Sequence, residues 1–202
     1  MNRAAFVRQP VVVASSQILQ LLDAVGDLAY VAGGAARQIV MGAEAPPAWD
    51  VDLFLYHPGD FERAVAAVAA LGYVNDVDTE RSSEFAPRIP GELPVQIIEY
   101  YRDAWSLTSG QPEDVLSHFS FTTETFAVVR RNRTTEAVVG ATAVDDTLSH
   151  MLRVQNVTSP LVCGLRAVKH AYKGFGIEPD QLQIIFDAYL ERARAEADKW
   201  RY

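Results

Sequence analysis

The first third of the chain alternates between segments with the apolar period of a helix and short apolar runs typical of strands. A first helix is predicted to end at Gly26, and residues 28–32 (LAYVA) form the expected first strand. Gly33 and Gly34 then lead into a short helix over residues 35–41. The pattern therefore predicts a strand, a glycine turn and a helix in direct succession.

The same alternation continues through the middle of the chain. Residues 51–56 (VDLFLY) predict a buried strand, an alanine-rich helix follows up to residue 71, and residues 73–77 predict a third strand. The prolines and the glycine within residues 80–94 indicate either a mobile loop or a distorted hairpin. Residues 95–101 (VQIIEYY) then form a strong strand pattern.

Helical patterns dominate the last part of the chain. A short helix from residue 112 to 118 precedes two paired strands, at 126–130 and 136–139. The helices predicted after these strands cover residues 146–152, 160–172 and 180–199. We therefore expect an α+β fold, in which a mixed β-sheet with flanking helices is followed by a small C-terminal helical subdomain.

Composition narrows the class of protein. The 202 residues are 49% hydrophobic and 22% charged, which is enough for one sizeable core. The single cysteine, Cys163, excludes an internal disulfide framework, and its apolar neighbours favour a small buried side chain. A net charge of -8 disfavours a large nucleic-acid-binding surface but is compatible with a local basic pocket. Because the apolar run near the N-terminus is too short for a signal peptide or a membrane span, we expect a cytoplasmic protein.

Two carboxylates carry the candidate chemistry. Asp50 and Asp52 are two residues apart at the start of a predicted strand, so their side chains face the same way. Such carboxylates repel each other unless a cation lies between them, and Mg²⁺ (or Mn²⁺) prefers oxygen ligands. We predict that Asp50 and Asp52 are catalytic metal ligands; a solvated or capping pair is the alternative.

A glycine turn precedes this pair by about fifteen residues. Gly33 and Gly34 allow the backbone to approach a phosphate group at a helix N-terminus, and Arg37 follows one turn later. Phosphoryl and nucleotidyl transfer need mainly positioning and charge neutralisation. The combination predicts a nucleoside triphosphate site, with a plain tight turn as the alternative.

These residues resemble the polymerase-β-like nucleotidyltransferases, and within them the head of tRNA CCA-adding enzymes and bacterial-type poly(A) polymerases. The family pattern G-G-x-x-R-D, a short L-G, a loop and D-x-D is matched by Gly33, Gly34, Arg37, Gly42, Asp50 and Asp52. Gln38 stands where the family usually has Asp. The resemblance implies a nucleotidyltransferase catalytic head over residues 1–143 and a helical neck-like region over residues 144–202.

Two further segments extend the resemblance unequally. Residues 158–177 resemble the family neck helix, D-P-x-R-x-L-R-A-x-R-F followed by G-F-x-I, which implies that Arg166 and Lys169 bind the nucleotide. An amphipathic helix with solvated cations is the alternative. By contrast, residues 118–124 (HFSFTTE) retain only Phe121 and Thr122 of the family's R-R-D-F-T-x-N-A, so its usual nucleotide recognition is not implied.

The resemblance also raises the question of a third carboxylate on the neighbouring strand. Glu99 is the only acid in that strand pattern, whereas Gln96 lies on the opposite face, and we favour Gln96 as the residue that faces the site. Two carboxylates then hold the metal. Trp49, beside Asp50, either stacks on a base or ribose or forms part of the core wall.

We therefore predict a metal-dependent nucleotidyltransferase that moves a nucleotide from an NTP such as ATP to a hydroxyl acceptor. The acceptor is an RNA 3′ end, a protein or a small molecule, and the oligomeric state is left open. The alternative is a catalytically degenerate chain that keeps the fold as an interaction or structural module.

Overall fold

An eight-stranded mixed sheet forms the centre of the computed structural model, which describes residues 5–79, 82–87, 89–99 and 110–199. Its strands are β1 (Phe6–Pro10), β2 (Ala29–Ala32), β3 (Val51–Leu55), β4 (Val74–Asp78), β5 (Ser82–Ala86), β6 (Val95–Ile98), β7 (Phe126–Arg131) and β8 (Thr134–Gly140). Their spatial order is β1-β8-β7-β2-β3-β6-β5-β4. Only β3 and β6 pair in parallel within this sheet.

Helices flank the sheet and form the C-terminal part of the described chain. They are α1 (Ser16–Val25), α2 (Gly34–Met41), α3 (Phe61–Ala70), α4 (Pro112–Leu116), α5 (Ala143–Leu148), α6 (Pro160–Ala171) and α7 (Pro179–Lys199). Their ends follow ordinary capping chemistry: the Ser15 hydroxyl accepts a hydrogen bond from the Ile18 amide, and Gly26 ends α1 at a φ of 51°. Two short strands lie between the C-terminal helices and pair in parallel with each other: β9 (Met151–Leu152) precedes α6, and β10 (Gly176–Ile177) follows it.

The central strand β3 separates two apolar layers. Its odd-numbered residues Val51, Leu53 and Leu55 are fully buried in the layer that contains α1, α2 and α3. On the other face Phe54 packs with the layer that contains α4. Because side chains alternate along a strand, Asp52 shares this second face with Phe54. The fold therefore places Asp52 on the face opposite to the main core.

The α+β fold is confirmed: a mixed sheet with flanking helices is followed by C-terminal helices. Cys163 is fully buried, as its apolar neighbours predict. The segment at residues 80–94 is not a simple loop, because β5 pairs with β4 in a hairpin with an irregular register. Residues 100 and 101 of the predicted strand 95–101 lie outside the described residues.

One prediction of secondary structure was wrong, and one edge strand was not predicted. The first helix predicted in the C-terminal part, over residues 146–152, begins earlier, at Ala143, and ends at Leu148. His150 then takes a φ of 53°, and the backbone continues as β9. The edge strand β1 was missed, because most of its side chains are exposed and its pairing with β8 depends on the backbone.

Gly140, at the end of β8, provides a test of this packing. A Cβ at this position would overlap the Thr125 hydroxyl, which donates a hydrogen bond of 2.6 Å to the Thr122 carbonyl. We expect Gly140→Ala to lower the free energy of unfolding by about 1–3 kcal/mol, as overpacking of a buried site does. Urea denaturation measures the change.

Gly164 is the matched control for this substitution. It lies inside α6, and a Cβ there meets no atom within 4 Å. Gly164→Ala should therefore stabilise the protein by about 0.5–1 kcal/mol through helix propensity. Equal effects of the two substitutions would contradict the packing described for Gly140.

Candidate functional site

The local geometry of β2, α2 and β3 brings the glycine turn next to the carboxylates. Ala32 at the end of β2 pairs with Asp52 on β3, and Gly33 follows with a φ of 73° before α2 begins. A Cβ built on Gly33 would lie 3.4 Å from Asp52 Oδ2. The positive φ favours glycine, and the small residue keeps the N-terminal backbone of α2 close to Asp52.

All eight residues predicted for the site line one cleft between the sheet and α6. They are Gly33, Gly34, Arg37, Asp50, Asp52, Gln96, Arg166 and Lys169. Four separate segments of the chain supply them, so their convergence depends on the fold.

Gln96 lines the cleft from β6, together with Ile98 on the same face, whereas Glu99 does not line it. Gln96 pairs in register with Asp52 across the parallel strands, and its amide nitrogen donates a hydrogen bond of 3.3 Å to Glu84 Oε1. Val95 and Ile97, on the opposite face, are buried in the main core. Alternation along the strand thus brings a neutral amide next to Asp52.

The two aspartates are electrostatically unfavourable without a cation. Burial, followed by the negative charge of Asp50, raises the pKa of Asp52 to about 7. The charges of Lys169 and Arg166 act in the opposite direction. Lys169 is the closer of these cations to the pair, with its Nζ atom 3.7 Å from Asp50 Oδ2. The site is therefore built to receive further positive charge.

The donor set fits a hard divalent cation with an open coordination sphere. Within the described ranges, no group of three or more His, Cys, Asp or Glu side chains is arranged to hold a metal. Asp50 and Asp52 alone would leave ligand positions for water and phosphate oxygens, which is how Mg²⁺ is usually bound in proteins. The zinc-type cluster of four protein ligands does not fit this site.

Arg37 is a buried cation with free donors. The side chain is only 1% exposed, and Nη1 donates a 3.0 Å hydrogen bond to the Thr123 carbonyl. Among the residues that the structure describes, none is a hydrogen-bond partner of its Nε and Nη2 atoms. Burial lowers the pKa of Arg37, whereas the nearby Glu124 charge raises it. A buried guanidinium with two free nitrogens is suited to an anion, such as a phosphate group.

A buried acid and two basic side chains form a second polar group in the cleft. His170 Nε2 lies 2.9 Å from Glu124 Oε1, and Arg166 Nη1 lies 3.8 Å from Glu124 Oε2. Burial acts to raise the pKa of Glu124, but the His170 hydrogen bond and the Arg166 charge outweigh it and lower this pKa. From the sequence, Glu124 was identified only as one of the residues that depart from the family motif, and its pairing with His170 was not predicted.

Trp49 lies at the edge of the site and is 47% exposed, so its interpretation as part of the core wall was wrong. Lys173, which follows α6, places its Nζ atom 4.3 Å from the centre of the indole ring. The sequence pattern did not single out Lys173. A family motif alone would not have identified it, because its contact with Trp49 depends on how α6 packs against the loop before β3.

Solved structures of CCA-adding enzymes share this fold. A Thermotoga maritima CCA-adding enzyme complexed with tRNA matches 92% of this chain and 47% of its own, with a TM-score of 0.63 and 17% identity. A CCA-adding enzyme in complex with CTP matches 92% and 48%, with a TM-score of 0.62 and 20% identity. A tRNA nucleotidyltransferase with a primer tRNA and an ATP analogue matches 84% and 49%, with a TM-score of 0.59 and 16% identity.

The predicted resemblance is thus confirmed at the level of the fold, and the chain spans about half the length of these structures. No protein-family model matches the chain. No curated protein matches it in sequence. Among the helices that the structure describes, none has both the length and the hydropathy needed to cross a membrane.

The raised pKa of Asp52 predicts a pH dependence of stability. A folded-state pKa of about 7 exceeds the value of roughly 4 expected in the unfolded chain, so the folded state retains a proton between these pH values. Stability should therefore fall as pH rises from 4 to 7. Between pH 5 and pH 8 in EDTA, we expect the wild type to lose roughly 2 kcal/mol more than Asp52→Asn does.

Thermal or urea unfolding at both pH values measures this difference. Asp76→Asn, on the exposed strand β4, is the charge-matched control and should keep the wild-type pH dependence. An identical pH dependence in wild type and Asp52→Asn would show that Asp52 is not the group responsible.

Proposed function

We propose that the chain binds a nucleoside triphosphate with Mg²⁺ (or Mn²⁺) in the cleft and transfers a nucleotide to a hydroxyl acceptor. The observation that carries this proposal is that a carboxylate pair, a glycine turn at a helix N-terminus and cationic side chains line the same cleft. The fold shared with CCA-adding enzymes, one of them solved with CTP, supports the same proposal.

Asp50 and Asp52 are the residues that would hold the metal. When bound, a divalent ion supplies charge neutralisation and Lewis-acid activation of the phosphoryl oxygens. Asp52 on β3 and Asp50 just before it would hold the ion, and the neighbouring residues Val51 and Leu53 are fully buried, which keeps this part of the backbone in place. Their mutual repulsion would be relieved at the same time.

The other residues of the cleft are arranged to bind and orient phosphate groups. The N-terminus of α2 begins at Gly34, where free backbone amides and the helix dipole favour an anion. Arg37 contributes its two free nitrogens, and Arg166 and Lys169 contribute positive charge from α6. Binding at these positions would hold the triphosphate in one orientation, which is the main requirement of nucleotidyl transfer.

The proposed reaction is a direct displacement. The acceptor hydroxyl oxygen forms a bond to the α-phosphorus as the bond between this phosphorus and the oxygen bridging to the β-phosphate breaks. Pyrophosphate leaves with the electron pair of that bond, and the hydroxyl proton is released to solvent. Positive charge around the triphosphate stabilises the charge that develops on the leaving group.

A second candidate function is suggested by the Glu124 group. Both Glu124 oxygens already accept hydrogen bonds, Oε1 from His170 and Oε2 from the Phe121 amide. This segment therefore differs from the nucleotide-reading motif that it resembles. A chain that binds nucleotide and metal without turnover, as an interaction module, is consistent with this difference.

Labelled-NTP transfer tests the proposed activity. Each NTP is supplied with Mg²⁺ and separate pools of cellular RNA, protein and small molecules, and incorporation is compared between wild type, Asp50→Asn and Asp52→Asn. We expect either substitution to reduce transfer roughly a hundredfold or more, because each removes a ligand of the catalytic ion. Asp76→Asn should retain wild-type transfer.

Equal labelling by wild type and Asp50→Asn would remove Asp50 from the mechanism. If NTP raises the melting temperature only when Mg²⁺ is present, yet no pool is labelled, the interaction-module function is supported instead. If no NTP raises the melting temperature in a metal-dependent way, both functions fail.

We expect the Lys169 side chain to lower the affinity of the site for the metal alone and to raise its affinity for NTP. Because its ammonium group neutralises Asp50, Lys169→Met should raise the affinity for Mn²⁺ alone roughly two- to fivefold, in the range of partly exposed ion pairs. The same substitution should weaken NTP binding in saturating metal. Electron paramagnetic resonance measures free Mn²⁺, and calorimetry measures NTP binding.

Lys169→Arg keeps the positive charge and should stay close to wild type in both measurements. A loss of affinity for both ligands in Lys169→Met would indicate a structural role and would contradict the proposed competition with the metal.

A further inference from the structure

The loop before β3 holds Trp49 in a fixed place. Ala48 is buried, and its amide donates a 3.0 Å hydrogen bond to Gln38 Oε1 on α2. Val51, two residues after Trp49, is fully buried in the main core. Because the backbone is anchored on both sides, the position of Trp49 is set by the fold and not by a freely moving loop.

The indole ring nevertheless remains 47% exposed beside a charged cleft. The Nζ atoms of Lys173 and Lys169 lie 4.3 Å and 5.7 Å from the ring centre. Lys169 also lies 3.7 Å from Asp50. Ring, cations and carboxylate thus form one continuous edge that leads from solvent to the proposed metal site.

This edge has the chemistry of a nucleotide contact. An exposed indole presents a flat surface on which another planar ring can stack, and each neighbouring ammonium group attracts phosphate. A ligand that uses both carries an aromatic ring and anionic groups on one short molecule. With phosphates bound at Gly33, Gly34 and Arg37, the nucleobase is the part of the substrate left to contact Trp49.

Glu124 is the other residue of this region that could contact the nucleobase, because it lies in the segment that resembles the nucleotide-reading motif. Each Glu124 oxygen already accepts one hydrogen bond, from His170 or from the Phe121 amide, so this buried carboxylate has fewer acceptor positions left for the edge of a base. Stacking on an aromatic ring does not require contact with that edge, because every base has a flat π-face.

We propose that Trp49 is the stacking platform for the base of the nucleotide bound in the cleft, with Lys169 and Lys173 beside its phosphates. This inference rests on the proposed function and deepens it by assigning the base subsite. It predicts that all four NTPs bind with similar affinity, since recognition through stacking tolerates base identity.

The test compares ligands with and without a base. Calorimetry in Mg²⁺ measures the affinity for the α,β-methylene analogues of the four NTPs and for inorganic tripolyphosphate, in wild type and variants. We expect wild type to bind the analogues about tenfold or more tightly than tripolyphosphate. Trp49→Leu should abolish this difference without changing tripolyphosphate affinity, and Trp49→Tyr should keep most of it.

Tyr172→Leu is the matched control, because Tyr172 is an aromatic residue next to Lys173 in the chain and is 83% exposed. It should keep the wild-type affinity ratio. A Trp49→Leu protein that keeps this ratio would overturn the assignment. Should that variant fail to fold, Trp49→Gln, which also lacks an aromatic ring, is measured instead, and retention of the ratio in it would overturn the assignment.

Two other outcomes separate this inference from the proposed function. If wild type binds neither tripolyphosphate nor any NTP analogue, the proposed function fails. If Trp49→Leu leaves NTP binding unchanged but reduces transfer to an oligonucleotide acceptor, the platform serves the acceptor's terminal base, and the assignment to the bound nucleotide is overturned.

Discussion

Asp52 on β3 and Asp50 just before it line the same cleft, and partial burial leaves the repulsion between their charges poorly screened. The raised pKa of Asp52 is the direct consequence of this arrangement. Much of the surrounding structure can be understood as compensation for it. Lys169 and Arg166 supply positive charge from a helix more than a hundred residues away in the chain.

This electrostatic requirement explains why the C-terminal helices belong to the site. The part of the described chain that precedes α6 contributes two carboxylates and a glycine turn to the cleft. The only cationic cleft residue from this part is Arg37. Helix α6 completes the charge balance and also brings Lys173 to Trp49. The third apolar cluster, which includes Phe121, Cys163 and Phe175, anchors these helices. Packing far from the carboxylates therefore fixes the charges that face them.

Local sequence features predicted much of this fold. Gly26 and Gly42 ended helices at the expected places because glycine readily adopts positive φ, and alternation along β3 correctly put Asp52 opposite the main core. Strand β1 was missed because its stability comes from pairing with β8, which leaves no apolar pattern in the sequence. By contrast, β4 was predicted, and its irregular hairpin with β5 corresponds to the distorted hairpin that was one of two alternatives for residues 80–94.

Residue spacing and family motifs predicted the part of the candidate site that depends on local sequence. All eight proposed residues lie in one cleft, whereas the Glu124–His170 pair and the contact between Trp49 and Lys173 depend on tertiary packing. The most direct test of the account is a crystal structure with Mn²⁺ and a non-hydrolysable NTP analogue, using anomalous scattering to locate the metal. We predict an anomalous Mn²⁺ peak at coordination distance from oxygens of Asp50, Asp52 and the triphosphate. A bound nucleotide with no metal at these carboxylates would contradict the proposed metal site.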